Sequence, residues 1–415
     1  MPNPYSLLER LQAHLKPSER DALEACVAIC KLRGLRLFLV GGPVRDLLLD
    51  AASIDLDLAV EGDAGALASE LAEVIGGRAV LHPRFGTARV SGQDMHIDIA
   101  GTRRETYSHP GALPAVQPAT LAEDLARRDF TINAMALQLA PDGGDLVDPF
   151  RGESDLRAGL LRVLHERSFQ DDATRMLRAV RYAARLGFKL QRDSETLLRR
   201  DRDYVRTISG PRLRRELATL FKETGCVDGL LLAQSYALLQ AIHPSLRLER
   251  RVAERWRFAL AGPRQAPLDQ FGFCLLVNPS DLGTTASVAK WLHLAGRIER
   301  ALADLVRLRG ASDTLAMERP YAATRTLEAF VPAAVWAMSL LETGAPSRVC
   351  EAYLTHWRHV KTHLRGKELL QLGVPQGEAM GELLEELRES HLDRGGLTAD
   401  QEVEMVRAVL RRSGR

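Results

Sequence analysis

The chain has 415 residues, of which 46% are hydrophobic and 27% are charged. This length allows two to four domains with buried cores, and the composition is that of an ordinary globular protein. The formal net charge of +2 excludes nucleic-acid binding by bulk charge, so any such binding requires local basic patches. The apolar runs are too short to cross a membrane.

The five cysteines are odd in number and form no Cys-x-x-Cys motif. This usage favours a reducing, cytoplasmic compartment and argues against disulfides or structural zinc. Residues 3–5 lack the basic region and apolar run of a signal peptide, so none is predicted.

The first motif is a buried strand followed by two glycines. The apolar run from Leu35 to Val40 has the length of a strand. Gly41 and Gly42 permit backbone angles that a side chain would forbid, and they let another group approach the main chain closely. The proline that follows suits the start of a helix, where N–H groups bind phosphate, and Arg45 adds a positive charge one turn in. The motif predicts a phosphate-binding turn.

A second strand, predicted within Ser53–Val60, carries two acids, Asp55 and Asp57. On a strand of period two these acids share one face, while the apolar residues between them point into a core. Two like charges side by side are unfavourable unless a cation lies between them, and Mg²⁺ bridging a triphosphate fits this arrangement. For the acid pair alone a solvated edge strand is the alternative, but the upstream turn favours a metal site.

The next segment alternates helix and strand patterns. A helix is predicted from Asp63 to Ile75, with the aspartate as its cap. Strands are predicted at Gly86–Val90 and Met95–Ile99, and alternation places Asp98 as a candidate third carboxylate on the side of the acid pair. Thr102–Pro118 reads as an irregular, mobile element near the site, because long loops inside compact domains are usually functional.

Two further sequence motifs place arginines beside acidic residues, and the first of them spans residues 127–133. Of the adjacent Arg127 and Arg128, at least one is expected to turn inward to an anion. Asp129 can orient such an arginine, and Asn133 can hydrogen-bond a sugar hydroxyl. An ordinary helix cap with surface charges is the alternative for this block alone.

In the later block, Arg175, Arg178 and Arg181 recur every three residues, and Asp172 lies three residues before the first of them. On a helix such neighbours share a face, so the acid and the base are expected to meet. An acceptor paired with forked donors can read the edge of a nucleobase. A solvated amphipathic helix with an ion pair is the alternative.

Basic residues are dense between Arg199 and Arg215, which suits phosphate-backbone contacts, although a salt-bridged surface explains them almost as well. Beyond Gly152 the strand signal nearly vanishes and helical patterns continue to the end, while residues 1–34 are also predicted to be helical. The predicted helices are Asp171–Leu186, Asp193–Tyr204, Ile208–Glu223 and Asp228–Ala241. The fold class is therefore α+β, a small head with a mixed sheet and helices on a long all-α body.

Four motifs in this order resemble those of the class II tRNA nucleotidyltransferases, which include CCA-adding enzymes and bacterial poly(A) polymerases. The motifs are Gly41-Gly42-x-x-Arg45-Asp46, Asp55-x-Asp57, Arg127-Arg128-Asp129-Phe130-Thr131-Ile132-Asn133 and Asp172-x-x-Arg175-x-x-Arg178. The resemblance runs from Leu35 to Leu217, with a weaker echo from Gly366 to Gly381. Asp171 stands where the family often has glutamate, which leaves the base-reading pair intact.

The resemblance implies a polymerase-β-like head (1–150), then a helical neck (151–225), body (226–345) and tail (346–415) that hold the tRNA acceptor stem. It implies template-independent addition of CMP and/or AMP to the tRNA 3′ end from CTP and ATP, with two Mg²⁺ ions held by Asp55 and Asp57. The resemblance implies that Gly42 and Arg45 contact the triphosphate, that Asp172 and Arg175 read the base, and that Arg178, Arg181 and one of Arg127 or Arg128 hold the nucleotide. Together with the residues argued from the motifs themselves, the predicted nucleotide-binding set is Gly41, Gly42, Arg45, Arg127, Arg128, Asp129, Asn133, Asp172, Arg175, Arg178 and Arg181.

Several alternatives stay open at this point. Thr102–Pro118 matches the family's flexible loop, which is implicated in the switch from C to A addition, and this disfavours an enzyme that adds only CC. Full CCA addition and A-only addition are not separated. A poly(A) polymerase is the nearest rival, and a catalytically inactive RNA-binding protein is the rival from another class. Oligomeric state is not predicted.

Overall fold

The computed structural model describes residues 6–52, 54–112 and 114–412. Three predictions touch residues outside these ranges. They concern Ser53 in the second strand, Leu113 in the loop, and residues 3–5, which were examined for a signal peptide. The chain forms two compact units, Met1–Arg212 with Glu223–Ala241, and Leu213–Lys222 with Ile242–Arg415. The finer division into head, neck, body and tail stays a prediction.

Within the described residues, the strands belong to the first unit. They are β1 (Leu37–Val40), β2 (Asp57–Val60), β3 (Arg78–His82), β4 (Thr87–Gly92), β5 (Met95–Gly101), β6 (Arg103–Thr106), β7 (Ala115–Pro118), β8 (Ala136–Ala140), β9 (Leu146–Val147), β10 (Leu160–Leu161) and β11 (Lys189–Leu190).

Helices make up most of the remaining chain. They are α1 (Leu7–His14), α2 (Pro17–Arg33), α3 (Gly42–Leu48), α4 (Ala64–Val74), α5 (Leu121–Ala126), α6 (Gly152–Ala158), α7 (Ser168–Asp171), α8 (Thr174–Leu186), α9 (Arg192–Asp201), α10 (Gly210–Leu220), α11 (Cys226–Ser235), α12 (Leu238–Ile242), α13 (Arg250–Ala261), α14 (Leu268–Val277), α15 (Leu282–Leu292), α16 (Gly296–Gly310), α17 (Ser312–Met317), α18 (Pro320–Glu328), α19 (Pro332–Leu341), α20 (Gly344–Thr355), α21 (Gly366–Gln371), α22 (Glu378–Arg394) and α23 (Ala399–Arg412). Short 3₁₀ turns lie at Pro83–Phe85, Thr131–Asn133, Arg202–Thr207 and Trp357–His359.

The main sheet has the strand order β3-β4-β5-β2-β1-β8-β9. The pair of β2 and β5 is parallel and the other neighbours are antiparallel, so the sheet is mixed and the predicted α+β class is confirmed. The centre of the sheet is dry, because all four residues of β1 are buried. This burial fixes the register of the strands around it, since a slip of one residue would turn core side chains outward.

Helix α4 shows how local signals position the head. Asp63 caps it by accepting hydrogen bonds from the N–H groups of Gly65 and Ala66 at 2.8 and 3.1 Å. The apolar residues of the helix are buried at three- and four-residue spacing, with Leu67 and Leu71 at 1% and 0% exposure. The helix predicted from Asp63 to Ile75 is therefore confirmed to within a residue at each end.

Other sequence predictions need correction. Thr102–Pro118 is not irregular throughout, because β6 and β7 pair as an antiparallel hairpin with Arg103 opposite Pro118. Each of these strands has four residues and pairs only with the other, which leaves too short a pattern to detect. Strand β3 was not predicted, and the helix expected at Asp228–Ala241 is two helices separated by Ala237, whose φ is +58°.

The second unit is helical and has an aromatic core. The rings of Phe271 and Trp336 stack with their centroids 3.6 Å apart, and Trp256 meets Phe271 edge-on at 5.7 Å. A separate apolar cluster near the end of the chain joins α21, α22 and α23 around Leu369, Leu387 and Val406. Across the described ranges, every helix is too short or too polar to span a bilayer.

Candidate active site

One cavity of about 990 Å³ lies in the first unit. Residues of β2, β4 and β5 and the start of α8 line it. Most of the residues that the sequence singled out lie around it. The predicted residues that line it are Gly42, Arg45, Asp55, Asp57, Arg127, Arg128, Asp129, Asn133, Asp172, Arg175 and Arg178. The structure therefore gathers residues that lie more than a hundred positions apart in the sequence.

The diglycine turn at the end of β1 places a guanidinium against the main chain. Gly41 has a φ of +76°, and a Cβ added there would collide with the guanidinium of Arg128. The positive φ requires glycine at this position, and the absence of a side chain leaves room for the Arg128 guanidinium. Gly42 begins α3 and lines the cavity, whereas Gly41 lies behind it.

Arg45 is anchored beneath this turn. It is only 2% exposed and donates to Asn133 Oδ1 at 2.5 Å and to the carboxylate of Asp46 at 2.9 and 2.8 Å. A buried guanidinium costs free energy unless its donors are satisfied, and these two acceptors hold it in one orientation. Its positive charge is thereby fixed at the cavity wall.

Asp55 and Asp57 both line the cavity, while Ile54, Leu56 and Leu58 are buried. This is the alternation of acids and buried apolar residues expected from the sequence, although β2 begins only at Asp57, so Asp55 precedes the strand. Strand β5 runs parallel to β2 with Asp98 directly opposite Asp57, and Asp98 also lines the cavity. Three carboxylates thus converge on one wall.

The electrostatics of this wall fit a divalent cation. Within the described ranges, neither Asp55 nor Asp57 receives a hydrogen bond from protein. The carboxylate of Asp57 is open to the cavity, but the residues around it exclude part of its hydrating water. This desolvation, together with the charges of Asp98 and Asp55, raises the pKa of Asp57 to about 6. Oxygen ligands with excess negative charge are the donor set that Mg²⁺ or Mn²⁺ prefers.

Asp98 has a protein partner that the sequence did not indicate. Arg89, opposite it on β4, donates to both of its carboxylate oxygens at 2.7 and 2.6 Å. The same guanidinium acts to lower the pKa of Asp57, although less than desolvation and the neighbouring acids raise it. Asp98 lies where the alternation predicted, and its role as a third metal ligand stays a prediction.

Arg127 and Arg128 both turn inward, but toward a different acid from the one predicted. Asp124, which is 2% exposed, accepts from Arg127 at 2.7 Å and from Arg128 at 2.9 Å. Burial acts to raise the pKa of Asp124, but the two guanidinium groups hold it below its ordinary value. The expectation that Asp129 orients one of them was wrong, because α5 ends just before the pair and Asp124 lies three and four residues earlier.

Asp129 and Asn133 act instead as supports for other arginines. Asp129 accepts from Arg178 Nε at 2.7 Å, from Asn133 Nδ2 at 3.0 Å and from the N–H of Phe130 at 2.9 Å. Asn133 in turn accepts from Arg45. The sugar contact expected of Asn133 therefore competes with two hydrogen bonds that already position its amide.

Asp172 and Arg175 line the same cavity, but the expected ion pair between them is absent. Helix α8 begins at Thr174, and Asp172 before it has extended backbone angles, so helical i,i+3 spacing does not apply. Asp172 accepts from Arg212 at 2.9 Å and from Thr174 Oγ1 at 2.8 Å. Arg175, at 5% exposure, donates to Ser168 Oγ at 2.7 Å and to the carbonyl of Arg127 at 2.6 Å.

Arg181 does not line the cavity. It is 9% exposed and pairs with Glu223 at 3.3 Å. Three residues turn an α-helix by about 300°, so each arginine of the repeat lies about 60° short of the previous one. Arg181, two steps after Arg175, therefore lies on a different face of the helix. The cavity face of α8 continues through Tyr182 and Arg185 instead.

Two family models match the chain, one described as the poly A polymerase head domain over residues 37–162 and one as the probable RNA and SrmB-binding site of polymerase A over residues 187–249. A CCA-adding enzyme of Geobacillus stearothermophilus is 30% identical over 305 residues, which are 71% of this chain and 72% of the relative. The chain belongs to the class II tRNA nucleotidyltransferase family. The resemblance stated from the motifs is confirmed.

Two more members of this family extend the comparison. An A-adding tRNA nucleotidyltransferase of Geobacter sulfurreducens is 32% identical over 396 residues, or 90% of this chain and 45% of the relative. The Thermotoga maritima CCA-adding enzyme complexed with tRNA_CCA has a TM-score of 0.74 at 26% identity, covering 98% of this chain and 99% of that one. The chain spans about half the length or less of the first curated relatives it matches. Nucleotidyltransferases of this family use divalent metal ions.

The tRNA nucleotidyltransferase motifs did not include every residue at the cavity. Residues that line it without having been predicted include Arg89, Glu105, Tyr107, Tyr182 and Arg185. The last two follow Arg178 at four and seven residues, so helical periodicity beyond the motif gave a signal for them. Glu105 and Tyr107 belong to Thr102–Pro118, the segment predicted to lie near the site, although neither was singled out within it. Arg89 had no signal, because strand register decides its placement.

Proposed function

We propose that this chain is a template-independent tRNA nucleotidyltransferase that adds CMP and/or AMP to the tRNA 3′ end from CTP and ATP. The observation that carries the proposal is the pair Asp55 and Asp57, whose carboxylates receive no hydrogen bond from the described protein and line a cavity of about 990 Å³ that several arginines also line. The CCA-adding and A-adding relatives, and the fold neighbour complexed with tRNA_CCA, support the substrate class. A tRNA substrate also favours a cytoplasmic location.

The carboxylates are proposed to hold Mg²⁺ at the point of reaction. Asp55 and Asp57 line the same cavity, so both carboxylates would be available to hold Mg²⁺ there. The ion would supply a lower pKa for the tRNA 3′-hydroxyl and neutralisation of charge on the pyrophosphate that leaves. The raised pKa of Asp57 supports this role, since carboxylates that repel one another gain most from a cation.

The arginines are proposed to orient the nucleotide. Arg45 and Arg178 are held by protein acceptors on one side, Asn133 and Asp129, and both line the cavity. A guanidinium already fixed by one partner loses little freedom when its remaining donors bind phosphate. Gly42 lets the nucleotide approach the main chain at the turn.

Asp172 and Arg175 are proposed to read the incoming base as one acceptor and one forked donor. Their present partners, Arg212 and Ser168, fix each side chain from behind without joining the two. We expect Arg175→Ala to blur the choice between CTP and ATP by about tenfold, because a charge-assisted hydrogen bond to one base edge is lost. Selectivity retained in the variant would count against base reading by this side chain.

The experiment that tests the function uses purified full-length protein and three tRNA transcripts, ending before CCA, after C and after CC, each with labelled CTP or ATP. The expected result is that only the residues needed to complete CCA are added to these ends. Absence of incorporation with all three transcripts would refute the proposal. Long adenosine tails would instead identify a poly(A) polymerase.

Addition of AMP alone is the second candidate, favoured by the A-adding Geobacter relative that matches 90% of this chain. In that case only the transcript ending in CC would be extended, and only with ATP. Extension of the two shorter transcripts with CTP would identify full CCA addition or, without subsequent AMP transfer, CC addition.

A further inference from the structure

We propose that Arg185 is a phosphate-binding residue of this cavity, presented by the ring of Tyr182. The inference rests on the proposed function for the identity of the ligand, but not for the existence of the phosphate site. Arg185 lies in the last turn of α8 and is solvent-exposed, and it lines the same cavity as Arg178.

The ring of Tyr182 is a common platform for arginines from two elements. The guanidinium carbon of Arg185 lies 5.2 Å from the ring centroid, and those of Arg45, Arg178 and Arg181 lie at 5.4, 5.5 and 4.8 Å. These distances are within the range of cation–π attraction. Tyr182 itself is 7% exposed and is held edge-on by Phe130, with centroids 5.9 Å apart.

Arg185 differs from the other arginines of the cavity in its acceptors. Each of the others donates to a protein oxygen within the part of the chain that the structure describes. Those pairs are Arg45 with Asp46, Arg89 with Asp98, Arg127 and Arg128 with Asp124, Arg175 with Ser168 and Arg178 with Asp129. Within the same ranges, Arg185 packs over the ring of Tyr182. This contact leaves the N–H donors in the plane of its guanidinium without a protein acceptor.

This combination favours a phosphate. A guanidinium presents five N–H donors in one plane, and two of them match two phosphate oxygens. Here the ring of Tyr182 orients the guanidinium and leaves its N–H donors available for a ligand. Three of the four arginines around the ring are paired with Asp46, Asp129 and Glu223, so the charge of Arg185 is the one left to attract an anion within the described residues. Restriction by the aromatic face lowers the entropy that binding would otherwise cost.

The competing explanation is that Arg185 only stabilises the end of α8, as a basic residue in a last turn does. That role needs a positive charge but no ligand. It therefore predicts a change in thermal stability on substitution and no change in the affinity for anions, which separates the two explanations experimentally.

The phosphate can come from the nucleoside triphosphate or from the 3′-terminal phosphodiester of the RNA. The test measures binding of ATP, AMP, inorganic tripolyphosphate and tRNA lacking its last A to the full chain by calorimetry, with Ca²⁺ present to prevent turnover. The variants are Arg185→Gln and Arg185→Lys. The control is Arg157→Gln, an exposed arginine on α6 that pairs with Glu153 away from the cavity.

We expect Arg185→Gln to weaken one phosphate ligand about tenfold, with Arg185→Lys intermediate and Arg157→Gln unchanged. Loss for ATP and tripolyphosphate but not AMP assigns the triphosphate, and loss for tRNA alone assigns the RNA phosphate. Affinities within twofold of the parent for all four ligands would overturn the inference. A parent protein that binds tripolyphosphate but not tRNA would refute the proposed function while leaving the Arg185 site measurable.

Discussion

Two acidic sites, one in each compact unit, show opposite uses of carboxylates. In the first unit, the carboxylates of Asp55 and Asp57 receive no hydrogen bond from the described protein and repel one another on one wall of a cavity. In the second unit, Glu402 is fully buried and accepts from the N–H groups of His363 and Leu364 at 2.8 and 2.7 Å, and also from His391. The contrast is between carboxylates that we propose bind an external cation and a carboxylate whose hydrogen bonds stabilise the fold.

The second site has the residue types of a zinc centre, since ring nitrogens of His363 and His391 and a carboxylate oxygen of Glu402 lie within 4.8 Å of one another. Its hydrogen bonds argue otherwise. Nδ1 of His391 accepts from the N–H of Leu397 at 3.1 Å, so the ring proton lies on Nε2, where it points to Glu402. A nitrogen that carries a proton cannot ligate a metal. Residue type alone therefore does not identify a metal site.

The largest expected effect is at the first site. We expect Asp55→Ala or Asp57→Ala to lower nucleotide incorporation by more than about a hundredfold, because metal ligands are lost, while tRNA binding is spared. Incorporation assays and tRNA binding by filter retention measure the two quantities. Turnover equal to the parent in either variant would refute the metal role and remove one half of the comparison.

At the second site we expect a loss of stability. Glu402→Ala leaves two backbone N–H groups and a histidine without their acceptor, which should lower the free energy of unfolding by about 2 to 3 kcal/mol. Glu382→Ala, at an exposed position on α22, serves as the control and should change little. Hydrogen exchange of α22 and α23 measures the local effect. If the two variants exchange alike, Glu402 does not hold this region together.

The smallest expected effect is a difference in pH response. Because the pKa of Asp57 is raised to about 6, its ionised form weakens the metal-free fold at high pH, and Asp57→Asn should add about 1 kcal/mol above pH 7 after solvent screening. That gain should shrink as the pH falls through 6 and vanish near the usual aspartate value of 3.8. Thermal unfolding in EDTA across this range measures it.

Glu402 should respond in the opposite direction. Burial acts to raise its pKa, but hydrogen bonds from His391 and from the N–H groups of His363 and Leu364 hold it below 4.5. Its stabilising contribution is present above pH 4.5 and is lost as the pH falls through its lowered pKa. A parent protein whose second unit gained stability under those conditions would contradict this assignment.

The sequence itself was sufficient wherever the pattern is local. Alternation predicted that Asp55 and Asp57 share one side of the chain, and both line the cavity. The cap at Asp63 set the start of α4, and the two glycines predicted a turn in which Gly41 has a positive φ. The order of four motifs was enough for the family. These features depend on the period of a strand or helix, or on the backbone freedom of one residue, which neighbouring residues specify.

Only the tertiary structure decided which partner each charged group has. Asp124 rather than Asp129 holds Arg127 and Arg128, and Arg212 rather than Arg175 bonds Asp172. The Asp57–Asp98 register and the Glu402 site likewise join segments far apart in the chain. Periodicity fixes the face on which a side chain lies, but the depth and register at which two elements pack decide which oppositely charged group lies within 3 Å of it.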